Sequence, residues 1–182
     1  MSGSVFNDGT LDAPSAGATF GDGVVTQSVS YRCLLAAQAV IQSLGLANVD
    51  AANVVVRKLP LDRGLGAGLP IQFPAVLLTP ERETMDPTAG VAGLDDVVYG
   101  VRVTVVDVDN QESTLLANLD KYSLWREQIA RAFRNQRLSG VPEVINAHVD
   151  PADPILPDAW QDNLYAAGLL LRFVSREPRS VE

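Results

Sequence analysis

The side chains able to do chemistry fall in four places. Asp107, Asp109 and Glu112 lie together at the end of a long run of alternating apolar residues. Two carboxylates on one face of a strand end sit close enough to share a divalent cation. No glycine or distal glutamate stands at the offsets of a calcium loop, however. Acidic residues that end a strand ahead of a helix, where the helix dipole favours negative charge, account for the same positions. His148 is the only histidine, and with Asp150 and Asp153 it has the makings of a metal or acid–base site. A zinc triad would need further histidines, and no nucleophile elbow is present to make it the base of a serine triad. The alternation sets Val144, Asn146 and His148 on one side of a strand and Ile145, Ala147 and Val149 on the other, which is a solvent-facing or interface position for the imidazole. Gly64, Gly66 and Gly68 hint at a phosphate cradle. Pro70 and a strand follow where a helix N-terminus would have to meet the phosphates, and no Lys-Ser or Lys-Thr completes a P-loop. Cys33, the one cysteine, falls on an apolar helical face and reads as a small, inert core residue rather than a nucleophile. The expectation is a chain with no catalytic, cofactor-binding or metal-ligating residues, no cofactor and no enzymatic activity.

The elements that carry these residues follow from apolar periodicity. A helix is predicted over 28–44, with Val29, Cys33, Ala36, Val40 and Leu44 on one face, a cap from Thr26, Ser28 or Ser30, and a stop at Gly45. Strands are predicted over 53–59, 73–79, 97–108, 144–149 and 164–175. The third places Val97, Tyr99, Val101, Val103 and Val105 inward and a more polar set, including Gly100, Arg102 and Thr104, outward. The last alternates Tyr165, Ala167, Leu169, Leu171 and Phe173 onto one face. A second helix is predicted over 113–138, with Leu115, Leu119, Tyr122, Ile129 and Phe133 on its apolar face, Trp125 at the edge, and Arg126 lying flat with its guanidinium in water. Residues 81–96 and 150–163 read as polar loops. Strands that follow one another directly favour hairpins. The predicted fold is therefore α+β: a mostly antiparallel sheet with two helices packed on one face, plus an extended N-terminal arm. The divisions are an arm at 1–25, one domain at 26–177 and a tail at 178–182.

Composition bounds the function. A chain of 182 residues with 47% hydrophobic and 20% charged residues suits one domain with a sizeable core. No apolar run approaches the roughly 20 residues that span a bilayer. Residues 1–25 hold no Lys or Arg and no apolar run, unlike a secretory signal, so the expectation is a soluble protein without membrane contact. A net charge of −8 argues against wrapping nucleic acid. The charge is segregated: Lys121, Arg126, Arg131, Arg134 and Arg137 face only Glu127 over 121–137, and residues 143–162 hold five acidic residues with no Lys or Arg. Opposite blocks on one chain suit head-to-tail contacts between copies, or simply two differently charged solvated faces.

The leading helix, the strands "NVVVRKLP", "FPAVLLTP" and "VVYGVRVTVVDVD", the later helix "LWREQIARAF" and the closing strand "LYAAGLLLRFVSREPR" together resemble the tail terminator and tail-completion (neck) proteins of tailed bacteriophages. The resemblance covers residues 28–177 and lies in layout and strand texture. It implies a non-enzymatic virion protein, made in the bacterial host cytoplasm, that forms a six-fold homo-oligomeric ring. The ring would cap the tail tube protein and meet the head-side connector protein, with DNA only passing through its lumen. An acidic lining would keep the genome from sticking. The alternatives are another phage neck, minor tail or tube subunit and, from a different class, a small metal-dependent hydrolase using Asp107, Asp109 and His148.

Overall fold

The computed structural model describes residues 19–20, 23–24, 27–58, 72–86, 94–109, 118–152 and 164–178. Two short strands, β1 (Thr19–Phe20) and β2 (Gly23–Val24), pair antiparallel ahead of the first helix. Helix α1 (Val29–Ser43) starts where the Ser28 hydroxyl accepts the Tyr31 N–H, and it ends before Gly45, whose φ of 59° is free of strain only because it lacks a Cβ. A 3-10 turn, Ala51–Asn53, is capped by Asp50 and leads into β3 (Val54–Val56). Then come β4 (Ala75–Pro80), β5 (Thr84–Asp86), β6 (Leu94–Val108), helix α2 (Leu119–Phe133), β7 (Val144–Pro151) and β8 (Leu164–Pro178).

Six strands form one sheet in the order β3-β4-β6-β8-β7, with β5 also paired to β6. Strands β3 and β4 run parallel, and every other pair is antiparallel. The centre is the β6–β8 ladder, in register from Leu94 opposite Pro178 to Val108 opposite Leu164. On the other edge of β6, β4 takes residues 101–106 and β5 takes 96–98. The break between β4 and β5 passes over Gly100. A Cβ there would come within 3.0 Å of the Arg82 carbonyl oxygen and of the Glu81 Cβ, so the close crossing requires glycine.

Both helices lie on one face. The odd-numbered residues from Val97 to Val105 and from Tyr165 to Phe173 point at them. Cys33, Leu34, Ala37 and Ile41 from α1, with Tyr122, Trp125, Ile129 and Phe133 from α2, close the same core. Phe133 meets Phe173 edge-on at 6.0 Å between ring centroids. The α+β fold with two helices on a mostly antiparallel sheet is thus as the periodicity predicts. Among the described residues no helix is long and apolar enough to cross a membrane.

Several local expectations change. The apolar centre of α1 is Cys33, Leu34, Ala37 and Ile41, while Val29, Ala36, Val40 and Leu44 flank it half-buried. The predicted 81–96 loop contains β5, and β6 starts at Leu94 rather than Val97. The second helix ends at Phe133, short of 138, because Asn135 turns left-handed (φ 55°) and its N–H goes to the Ala147 carbonyl. Leu119, expected on the apolar face, is 42% exposed, whereas Trp125 is fully buried. The outward face is not simply polar: Ala75, Leu77, Val106 and Ala166 form a second, smaller buried cluster, and Thr79 and Thr104 are buried as well. Leu115 and residues 1–18 lie outside the described residues.

Removing the fully buried Trp125 side chain (Trp125→Ala) is expected to cost ~3–5 kcal/mol. Leu124→Ala, one residue away but 47% exposed, is expected to cost less than ~1 kcal/mol. Urea denaturation of the two variants beside the parent checks the assignment of the α2 faces.

Candidate functional site

The apolar middle of the helix-side face gives way to polar groups at both ends. At the C-terminal end of β6, Asp107 stands opposite Tyr165. One Asp107 oxygen accepts the Val108 N–H at 2.8 Å, and the other is paired with Lys121 at 2.9 Å. Lys121 also lies over the rings of Tyr122 and Trp125, 4.8 and 5.2 Å from their centroids, where ring quadrupoles favour a cation. Tyr122 stacks on Tyr165 at 3.7 Å. Burial, then the carboxylates of Asp107 and Asp109, hold the Tyr122 phenol well above its ordinary value, so it stays protonated. Asp107 is held by a lysine and a backbone amide, the arrangement of a structural carboxylate.

His148 does not join it. Ladder pairing puts Asp107 opposite Tyr165 and His148 opposite Arg172 on the same strand. Seven residues of strand separate them, roughly 23 Å, and they face opposite sides of the sheet. The imidazole is exposed and its Nε2 is 3.4 Å from Asn146 Nδ2. Asp150 is ion-paired with Arg172. The expected alternation along β7 is broken by a bulge between Val144 and Asn146. The extra residue flips the pleat, so Val144 is buried with Ala147 while Asn146 and His148 point away. The Asp107–Asp109–His148 site of the hydrolase alternative therefore does not assemble. Among the described residues no group of three His, Cys, Asp or Glu could hold a metal ion. Cys33 is fully buried, and burial pushes its thiol up to about 12, which makes it unreactive. Glu112, Asp153 and Gly64, Gly66 and Gly68 lie outside the described residues.

The other end of the sheet holds a bonded cluster that sequence reasoning missed. The Tyr99 hydroxyl donates to Glu177 at 2.7 Å, and Ser175 donates to the same oxygen at 2.9 Å. Arg32 makes a two-pronged bond to Glu143 at 2.7 and 3.1 Å, tying the start of α1 to the entry of β7. The hydrogen bonds of Arg32 hold the Glu143 carboxyl below the ordinary glutamate range. On the opposite face, Arg176 grips Asp96 with two bonds, across a directly opposed ladder pair. Arg32 and Glu143 are 111 residues apart in the chain, so no local pattern could have linked them.

The exposed surface differs from the one the charge blocks suggested. Glu143 and Asp150 are spent on Arg32 and Arg172. Arg126 turns inward, its Nη2 3.2 Å from the Ala152 carbonyl and 3.5 Å from that of Gly168. A cationic surface is left at the end of α2, besides the exposed Lys58 and Arg82 elsewhere among the described residues. Arg131 makes an exposed pair with Glu127 at 2.6 Å, and such a pair holds its partner weakly. Arg134 and Arg137 are exposed with no ion-pair partner among the described residues. The outer sheet edges are blunted: the Ala147 N–H is bonded by the Asn146 side chain and its carbonyl by the Asn135 N–H, while the Val54 carbonyl accepts from Gln38 at 2.7 Å. The closing strand β8 is interior, so it cannot add to a neighbour's sheet.

Two measurements follow from this geometry. Cys33 is expected to stay unmodified by a thiol reagent in the native state at pH 8 and to react fully in denaturant. Because the folded-state pKa of Glu143 lies below its ordinary 4.5, its contribution to stability is present above that value and lost as pH falls through the lower, folded value. Glu143→Gln should therefore destabilise the protein at pH 7, and the gap to the parent should narrow in denaturation curves taken between pH 4.5 and pH 3.

No protein-family model matches this chain, and no curated protein matches it. A solved structure, the sheath/tube terminator in its extended state from an extracellular contractile injection system called PVC, is similar over 86% of this chain and 58% of its own length, with 15% sequence identity and a TM-score of 0.43. The chain thus spans less than two thirds of that structure.

Proposed function

We propose that this chain is a structural subunit at the end of a phage-type tail, a terminator that closes the tube and meets the head-side connector as a ring of identical copies. The observation that carries the reading is the layout. A leading helix, the strands β3 to β6, a second helix and two closing strands fold into one sheet with both helices on a single face, the layout on which the resemblance to tail terminators rests. The groups with chemical potential support it, because they serve the fold. Asp107 holds Lys121, Asp150 pairs with Arg172, and Cys33 is sealed in the core. The partners under this reading are further copies of the chain, a tube protein and a connector. DNA only passes through the lumen, and the protein resides in the virion.

The expected copy number is six. Electron microscopy of particles carrying the tagged chain is expected to show a closed ring at the head-proximal end of the tube. A single isolated copy per particle, or label scattered along the tube, overturns the reading. The second outcome would favour a tube subunit instead.

A further inference from the structure

We propose that the copies meet through a ribbon at one end of the sheet of one subunit, built from β5, the start of β6 and the end of β8, seated on the outer face and C-terminal end of α2 of the next. The inference rests on the ring reading above and names the surfaces that would join it.

The ribbon is defined by register. Met85 stands opposite Val97, and Val97 opposite Ser175. Helix α2 ends at the level of Phe173, on which Phe133 packs, while β8 runs five residues further to Pro178, about 17 Å of strand. Internal bonds make the ribbon stiff: Asp96 to Arg176 across the ladder, Tyr99 to Glu177, and Glu81 to Arg102. The ribbon also carries unspent groups. Met85 is 62% exposed, the most of any large apolar side chain among the described residues. Directly opposed residues point to the same side of a sheet, so Met85 projects on the helix side with Val97. Glu83 is exposed and has no ion-pair partner among the described residues. Of the six acidic residues in 81–86, 94–98 and 174–178, Glu81 and Asp96 are paired with Arg102 and Arg176 and Glu177 is held by Tyr99 and Ser175, so Glu83 is the exposed carboxylate the contact would use.

The receiving surface has the complementary character. Leu124, 47% exposed, shares an outward stripe of α2 with Glu127 and Arg131, three and seven residues on. Beyond the helix end come Arg134 and Arg137. Residues 126–137 hold four arginines against one glutamate, and the one that turns inward, Arg126, leaves three at the surface. Met85 can pack on Leu124 while Glu83 meets Arg131 or Arg134. The contact is not made within one subunit: α2 beside Leu124 lies at the level of Tyr165, on which Tyr122 stacks, whereas Met85 lies at the level of Ser175, ten residues of strand away, roughly 33 Å. Two unlike surfaces that do not meet reciprocally across a two-fold axis make a heterologous contact, which repeats into a closed ring or an open filament.

The test uses the full chain. Met85→Cys and Leu124→Cys in one protein, oxidised at high concentration, should give a ladder of disulfide-linked oligomers on a non-reducing gel, since the native Cys33 is buried. Monomer alone, bridged internally or not at all, overturns the docking. Charge reversal gives a second reading by light scattering. Glu83→Arg or Arg134→Glu alone should weaken association at least about tenfold, and the two together in one chain should restore it. Association unmoved by either single change, or a double variant no better than the singles, also overturns the docking. Rings seen by microscopy without the disulfide ladder would leave the ring standing and remove only these surfaces.

Discussion

Fifteen residues of β6 lie opposite fifteen of β8 without a break in register, and the position of every other sheet element follows from that ladder. One edge of β6 is left for β4 and β5, and one edge of β8 for β7. The alternation within the ladder decides which side is core. Once Val101, Val103 and Val105 face the same way as Leu169, Leu171 and Phe173, both helices must cover that side, since burial of those side chains is worth about 1.5–3 kcal/mol each. The ladder joins residues separated by 56 positions at its near end and 84 at its far end. The loop-closure entropy of such contacts opposes them until the helices can bury the face they form. The pairing and the helix packing are therefore one cooperative event, even though the ladder defines the geometry.

The polar residues are distributed to suit that event. Ionised groups sit at the two ends of the ladder, where strands run out of helix cover, and each end has its own locking scheme. At one end Lys121 bridges strand and helix by holding Asp107 while lying on the Tyr122 and Trp125 rings. At the other, Arg32 reaches from α1 to Glu143, and Tyr99 to Glu177. These pairs add little net energy beyond the cost of desolvating them. Their directionality is what counts: the Lys121 and Arg32 pairs are each satisfied at one helix position only, which fixes the slide of α2 and α1 along a face whose valines and leucines would tolerate several. A carboxylate used this way is bound to a fixed cation and is a poor base or metal ligand.

The alternation of β6 and β8 was legible because period-2 patterns over 97–108 and 164–175 leave no competing assignment, and both helices were legible from their apolar stripes. What escaped were features set by single residues whose effect depends on distant partners. The bulge in β7 puts Val144 and Asn146 on opposite faces and has no mark in the local sequence beyond a polar Asn146. The end of α2 at Phe133 depends on Asn135 finding the Ala147 carbonyl, a partner twelve residues on that belongs to another element. Strand β5 was hidden in a polar segment because only Met85 in it is apolar, and its pairing is supplied by β6. The charge blocks misled for a similar reason. Net charge along the chain counts Glu143, Asp150 and Arg126 as surface, whereas the fold spends all three on itself.

That spending narrows how the molecule can associate. Backbone edges are the default route by which sheets join, and here β3 and β7 have some carbonyl or amide groups occupied, by Gln38 on one and by Asn135 and Asn146 on the other. With β8 flanked by β6 and β7, the contact proposed above is made by side chains. A protein of net charge −8 repels its copies at long range unless opposite charges are brought face to face, with screening over about 8 Å at physiological salt. Three exposed arginines at the end of α2, set against an acidic ribbon, supply that arrangement. In a head-to-tail ring each of two unlike surfaces is satisfied once per subunit, and a two-fold dimer does the same only where both surfaces fall within one reciprocal interface.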